Sequence, residues 1–351
     1  MAINLDGLTA PNGAIQSLRE LTMLAVTKSQ AVDGFVKFVK ARNGDKVGGI
    51  RPLNAVGLPD GATCTPSWQT NTAGVVEREW AIKEWVVSES ICYKDLLGTL
   101  AEFDLNDHSD IADVSNTIYA DIVASLVEEA IQRMMWRLMW FGNIAADNIA
   151  NGGYITAGKN PELFTATDGF FKRLFALVTS DATCRVTIAA NAEDTYAEQM
   201  DGLTDAKAVL DALIRKAPMT LRQKRDGVII CTQSIADAYT AQLTLGNAAV
   251  TDMWTIEQNG LQSIKRGGVT VYAIPELDKI IQEFENTGTA YRYPHRAVYF
   301  SPSNFLAASP SGEMVATLNA WFEKKDQAFY ILVKDMLGTQ ILDTAEFQIA
   351  Y

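Results

Sequence analysis

Residues 109–141 read SDIADVSNTIYADIVASLVEEAIQRMMWRLMWF, and the fold turns on how that stretch is taken. It predicts one long helix. Ser109 is placed to cap it, and Asp110 and Asp113 put negative charge in the first turn, where the helix dipole favours it. Gly142 follows the last residue, where a left-handed position takes glycine. Neither Gly nor Pro interrupts the run. At about 1.5 Å per residue it would be roughly 50 Å long. Ile111, Val114, Ile118, Ile122 and Leu126 recur every three or four residues, so the first half is amphipathic. From Met134 to Phe141 the polar face vanishes, and that end should be buried nearly all round. The expected core of this spine is Ile118, Ile122, Leu126, Trp136 and Trp140.

The chain of 351 residues is 48% hydrophobic and 21% charged, which marks it as folded rather than disordered. One or two domains are expected. No run of about 18 apolar residues suggests a membrane span, and MAINLDGLTAPNG lacks the pattern of a signal peptide. Cys64, Cys92, Cys184 and Cys231 form no C-x-x-C pair and read as free thiols in a reducing compartment. The net charge of −12 argues against a general nucleic-acid binder, because that affinity comes mainly from Lys and Arg on phosphates.

Around the spine the chain changes period. Residues 15–33 have a helical pattern behind a broken arm. Asn43-Gly44 is a turn signal of the hairpin type, and 75–89 (VVEREWAIKEWVVSE) reads as one long strand. Together 41–92 form a turn-rich β excursion with little core of its own, which should rest on something else. Residues 168–299 alternate helix and strand around a mixed sheet, with Asp168, Thr204 and Ser234 as expected helix caps and Pro275 at a helix start. From Glu313 the chain is β again, two strands about a Lys324-Lys325-Asp326 turn, strand-like to Tyr351.

Chemistry is sparse. Gly153, Gly158 and Lys159 resemble a Walker A loop, but Asn160 and Pro161 replace what should follow it. Asp104, Asn106, His108 and Asp110 alternate as in a calcium loop, yet the sixth and twelfth positions hold Ser109 and Ser115. His108 and His295 are the only histidines, too few for a His-based zinc site. Ser234 opens a helix after a strand, but the sequence offers it no base. No catalytic, cofactor-binding or metal residues are assigned.

The order of parts, together with VGGIRPLN (47–54), DGATCTPSW (60–68), EREWAIKEWVVSESICYKDLLGTL (77–100), TDGFFKRLF (167–175) and the ending LNAWFEKKDQAFYILVKDMLGTQILDTAEFQIAY (318–351), resembles tailed-bacteriophage major capsid proteins. These have the Hong Kong 97-like fold, and the detail is similar to the crAss-like/Bacteroidetes phage group. The resemblance implies an α+β chain: N-terminal arm and helix (1–40), E-loop β hairpin (41–92), P-domain with the spine helix (93–165), A-domain (166–299) and P-domain return strands (300–351). It implies a structural protein, not an enzyme, without cofactors. Copies would assemble as pentamers and hexamers into an icosahedral head, formed in the host bacterial cytoplasm and enclosing double-stranded DNA without sequence-specific binding or membrane. Scaffolding, portal and decoration proteins are further partners it implies; the chain starts at Met1 without a helical prodomain, so any scaffold would be separate. Arg51, Trp68, Arg78, Trp80 and Lys83 are the expected E-loop contacts to a neighbouring subunit. Two alternatives stay open: an encapsulin-type nanocompartment shell of the same fold, and a soluble α/β enzyme with its site at a strand end.

Overall fold

The computed structural model describes residues 34–50, 74–92, 129–245, 254–256, 261–312, 318–323, 325–326 and 328–351. Ser109, Ile118, Ile122, Leu126, Arg51, Trp68, the N-terminal arm and the acidic run 104–113 lie outside those residues. The strands are β1 (Lys37–Lys40), β2 (Lys46–Ile50), β3 (Val75–Glu79), β4 (Lys83–Cys92), β5 (Arg185–Val186), β6 (Val228–Cys231), β7 (Thr255–Ile256), β8 (Gln262–Arg266), β9 (Val269–Ala273), β10 (Ala297–Phe300), β11 (Phe305–Ser309), β12 (Leu318–Glu323), β13 (Ala328–Ile341) and β14 (Gln348–Ala350).

Seven strands form a mixed sheet in the order β5-β14-β10-β6-β9-β8-β7. Its centre is built from VIIC, VTVYA and AVYF, β-branched and aromatic runs suited to burial on both faces. Alternation along each strand sends side chains to opposite sides. Ile229, Cys231 and Val271 join Leu210, Leu213, Ile235 and Tyr239 of the helices Ala206–Lys216 and Gln233–Leu245. Ile230, Val298 and Ile349 face the other way, into a larger core with Leu277 and Ile281 of the helix Pro275–Phe284. Pro275 stands at the first helical position as expected, where its missing N–H is no loss.

A second sheet runs β1-β11-β13-β12, with β4 also on β13. The 14-residue β13 changes partners along its length: Ala328–Leu337 pairs with β4, and Gly338–Ile341 pairs with β11. β2 and β3 form a separate two-stranded sheet.

The described end of the spine is helical from 129 and closes in a widened π-helical turn, Arg137–Phe141. Trp136 and Trp140 are both 0% exposed. Around Trp140 lie Phe170 at 5.1 Å and Phe171 at 5.4 Å from the next helix, Phe300 at 5.7 Å from β10 and Phe305 at 6.2 Å from β11. The indole therefore stands where the spine, the helix Phe170–Ser180 and both large sheets meet. Burying an aromatic side chain of this size is worth roughly 4–6 kcal/mol by apolar area.

Several expectations are corrected. Gly142 is not left-handed (φ −51°); it is glycine because a Cβ would lie 2.3 Å from the Leu138 carbonyl oxygen and 2.4 Å from that of Thr167. The single strand 75–89 is two strands broken at 80–82, since β3 pairs with β2 and β4 with β13. The Asn43-Gly44 turn forms, but β1 and β2 on either side of it belong to different sheets. Asp168 and Thr204 do not cap: the helices start with Gly169 and Asp205 in that position and no side-chain bond. Asp168 instead accepts from Ile144 N and Lys172 Nζ. The last strand, β14, sits between β5 and β10, so a boundary at residue 300 cuts through the seven-stranded sheet.

Candidate functional site

Two places stand out. The first is the base of the β2–β3 excursion. Among the described residues this pair meets no third strand, and Val75 is 62% exposed. The excursion is fixed where it joins the body. Trp80 exchanges backbone bonds with Gly44 and Asp45, and Ile82 N donates to Asn43 Oδ1 at 3.1 Å. Gln340 Nε2 donates to Glu79 O at 3.0 Å while its Oε1 accepts from Arg173 Nη1 at 3.3 Å. A small core of Ala41, Trp80, Ile82, Leu306 and Ala308 fills the bend.

Trp80 is 3% exposed inside its own chain, so its expected contact with a neighbour is corrected: that ring has almost no surface left to offer. Arg78 is half-buried and Lys83 exposed.

Beside this bend a groove of about 550 Å³ runs past Trp85, Val86, Met134, Ile144 and Leu163, with Lys83, Glu84, Arg137 and Glu162 among them. Val86 and Ile144 are 53% and 45% exposed. On the β12–β13 hairpin, Trp321 is 41% exposed and stacks on its cross-strand partner Tyr330 at 5.7 Å. Exposed apolar surface with charged neighbours is the usual signature of a contact surface.

The second place is a polar cluster that sequence reading missed. His295, fully buried, has Nε2 at 2.8 Å from the Gln199 carbonyl oxygen and Nδ1 at 2.8 Å from Ser234 Oγ. A carbonyl only accepts, so Nε2 carries the proton and Nδ1 accepts from Ser234. Burial holds the imidazole below its ordinary pKa and keeps it neutral. Thr232 Oγ1 adds a bond to Ser234 Oγ at 3.0 Å. Ser234 therefore does have a base, 61 residues away in sequence.

A nucleophile also needs donors for the developing oxyanion. Here the N–H groups of Gln233 and Ser234 are already taken by the Asp278 carboxylate, at 2.6 and 3.3 Å. Burial pushes Asp278 up to about 7, against those backbone bonds. Asp278 thus does the capping expected of Ser234, which lies inside the helix. With those N–H groups met by Asp278, the cluster is a latch between the helices Gln233–Leu245 and Pro275–Phe284. No sequence signal joins residues so far apart; the pairing is purely tertiary.

The Walker-like loop holds no phosphate cradle either. Lys159 pairs with Glu283 at 2.8 Å, and Asn160 caps a short 3₁₀ turn. Among the described residues no cluster of His, Cys, Asp and Glu is placed to hold a metal ion, and no helix is long and apolar enough to cross a membrane.

No protein-family model and no curated protein sequence matches the chain. Solved structures do. A chain of Gordonia phage Cozz is similar at a TM-score of 0.52 and 8% identity, covering 97% of this chain and 90% of that one. A chain of Mycobacterium phage Bobi is similar at 0.50 and 11%, covering 96% and 95%. A chain from the capsid of an empty GTA particle is similar at 0.49 and 11%, covering 98% and 95%. At such identities the likeness is one of fold: over nearly its whole length, this chain has the fold of the chains in the Cozz and Bobi phage structures.

Proposed function

We propose that this chain is a major capsid protein, the structural subunit of an icosahedral phage head with a Hong Kong 97-like fold. The observation that carries the reading is the β2–β3 excursion. A two-stranded hairpin is marginal in water, and among the described residues this one pairs with no third strand, its body contacts being those at its base and the approach of Gly49 to Leu342. Its natural support is another copy of the chain. The phage fold shared with Cozz and Bobi and the sequence resemblance point the same way.

In this reading β2–β3 is the root of the E-loop, and 129–141 is the end of the spine. β4 and β11–β13 are the P-domain sheet, and the seven-stranded sheet is the centre of the A-domain. Arg51, Trp68, Arg78 and Lys83 meet the neighbouring subunit; Trp80 does not. Copies close as pentamers and hexamers around double-stranded DNA. The net charge of −12 suits a lining that repels packaged DNA, with Asp104, Asp107, Asp110 and Asp113 as its acids. That repulsion is screened over about 8 Å at physiological salt, so it acts only at the wall.

Deleting residues 54–72 tests the reading. The shortened chain should stay soluble and folded yet form no shells; normal shells from it would refute the role given to the excursion. An encapsulin-type shell shares the fold and is separated by particle content, protein cargo instead of DNA.

A further inference from the structure

A pocket of about 140 Å³ lies at the junction of the spine end, the helix Phe170–Ser180 and the turn after the helix Pro275–Phe284. Phe141, Phe171, Phe175 and Glu285 form part of its wall, and Asn143, Tyr154, Lys172 and Arg292 supply donors. A water occupies about 30 Å³ of liquid, so the space suits a few waters or one small polyatomic ion.

Two of these donors, the Arg292 guanidinium and the Tyr154 hydroxyl, are not consumed by the protein. Among the described residues the Arg292 guanidinium makes no hydrogen bond or ion pair; it rests on the Tyr154 ring at 4.1 Å and near that of Tyr293 at 5.7 Å. Tyr154 Oη accepts from Asn143 Nδ2 at 2.9 Å, which leaves its own proton to give. Burial raises the Tyr154 pKa, so it stays a donor. Behind the wall stands Arg296, its guanidinium 5.0–5.6 Å from the rings of Phe141, Phe171 and Phe175. Its Nη1 is buried with no partner. Lys172 is held by Asp168 at 2.5 Å, and Glu285 by Arg296. Lys172 and Arg292 thus face Glu285 across the pocket, and with Arg296 and Asp168 just outside the lining counted, three cations stand against two carboxylates, a positive surplus. Lys172, Tyr154 and Arg292 are all partly exposed, so the pocket is reachable.

We propose that this pocket binds one small oxyanion, of the phosphate, sulfate or carboxylate class, between Arg292, Lys172 and the Tyr154 hydroxyl. The inference is independent of assembly, because every group belongs to one chain.

The test is thermal unfolding of the full chain in inorganic phosphate, sulfate or acetate, each against sodium chloride at equal ionic strength. At about 10 mM, at least one oxyanion should raise the midpoint by about 2 °C over chloride. Which of them acts identifies tetrahedral or planar chemistry. Arg292→Gln should abolish the increment, and Tyr154→Phe should demand about tenfold more ligand. Equal midpoints in all four salts, or an undiminished increment in Arg292→Gln, would overturn the proposal. If Arg292→Gln fails to fold, Lys172→Gln and Tyr154→Phe decide: an unchanged response in both would overturn it equally.

Discussion

The guanidinium of Arg296 and the carboxylate of Glu285 form an ion pair whose side chains are 1% and 4% exposed. Arg296 also donates to the carbonyls of Tyr293 and Arg292, at 2.9 and 2.7 Å. Burial pulls the guanidinium below its ordinary pKa while Glu285 opposes that pull. A buried pair is costly to break from one side, because the survivor stays charged and dry. Glu285→Ala should therefore cost about 3–5 kcal/mol. The double variant Arg296→Met with Glu285→Leu should recover most of it. Denaturant midpoints of the single and double variants decide; equal losses would contradict the account.

Two tryptophans should behave oppositely. Trp140→Ala opens a cavity among Phe170, Phe171, Phe300 and Phe305 and should cost about 3–5 kcal/mol, seen as loss of soluble protein. Trp321, 41% exposed, lies on a hairpin surface. Trp321→Ala should change the unfolding free energy by no more than about 1 kcal/mol while reducing the yield of assembled particles.

Gly338 marks the point where β13 passes from β4 to β11. A Cβ there would lie 3.0 Å from Ile82 Cγ1 and 3.1 Å from the Ala81 carbonyl oxygen. Gly338→Ala should push the bend at 80–82 outward, at a cost of about 1–3 kcal/mol. A solved variant structure with β3 unmoved and an unchanged midpoint would show the bend to be tolerant.

The latch gives a pH signature. Asp278 is raised from 3.8 to about 7, so the folded chain holds a proton that the unfolded chain releases. Its contribution is fully present below pH 3.8 and lost as pH rises through about 7. His295 runs the other way: held below 6.5, it favours the fold above that pH and loses its contribution as pH falls. Asp278→Asn removes only the first effect. Relative to wild type the variant should gain about 2 kcal/mol between pH 5 and pH 8. Unfolding at both pH values measures it, and an equal difference at the two would contradict the assignment.

What the sequence makes legible here is whatever depends on local pattern. Met134–Phe141 has no polar face to expose, and its burial follows directly. VIIC, VTVYA and AVYF announce a buried mixed sheet, and Pro275 a helix start. Partnership was not legible. The alternation through Val76, Arg78, Trp80 and Ile82 continues unbroken while the strand changes sheets, because pairing depends on β2 and β13, which are distant in sequence. Ser234 looked like a cap and Asp168 like another, since capping statistics see only neighbours; the donors at Gln233 and Ser234 are met by Asp278, more than 40 residues on. His295 beside Ser234 is invisible for the same reason. Nothing local in the sequence announces that Leu306 and Ala308 from β11 close over Trp80.

The most direct test of the central claim is electron microscopy of the purified full chain under assembly conditions. The account predicts closed icosahedral shells built from pentamers and hexamers. A chain that remains a folded monomer at every concentration and salt tried, with the β2–β3 hairpin still ordered, would contradict it.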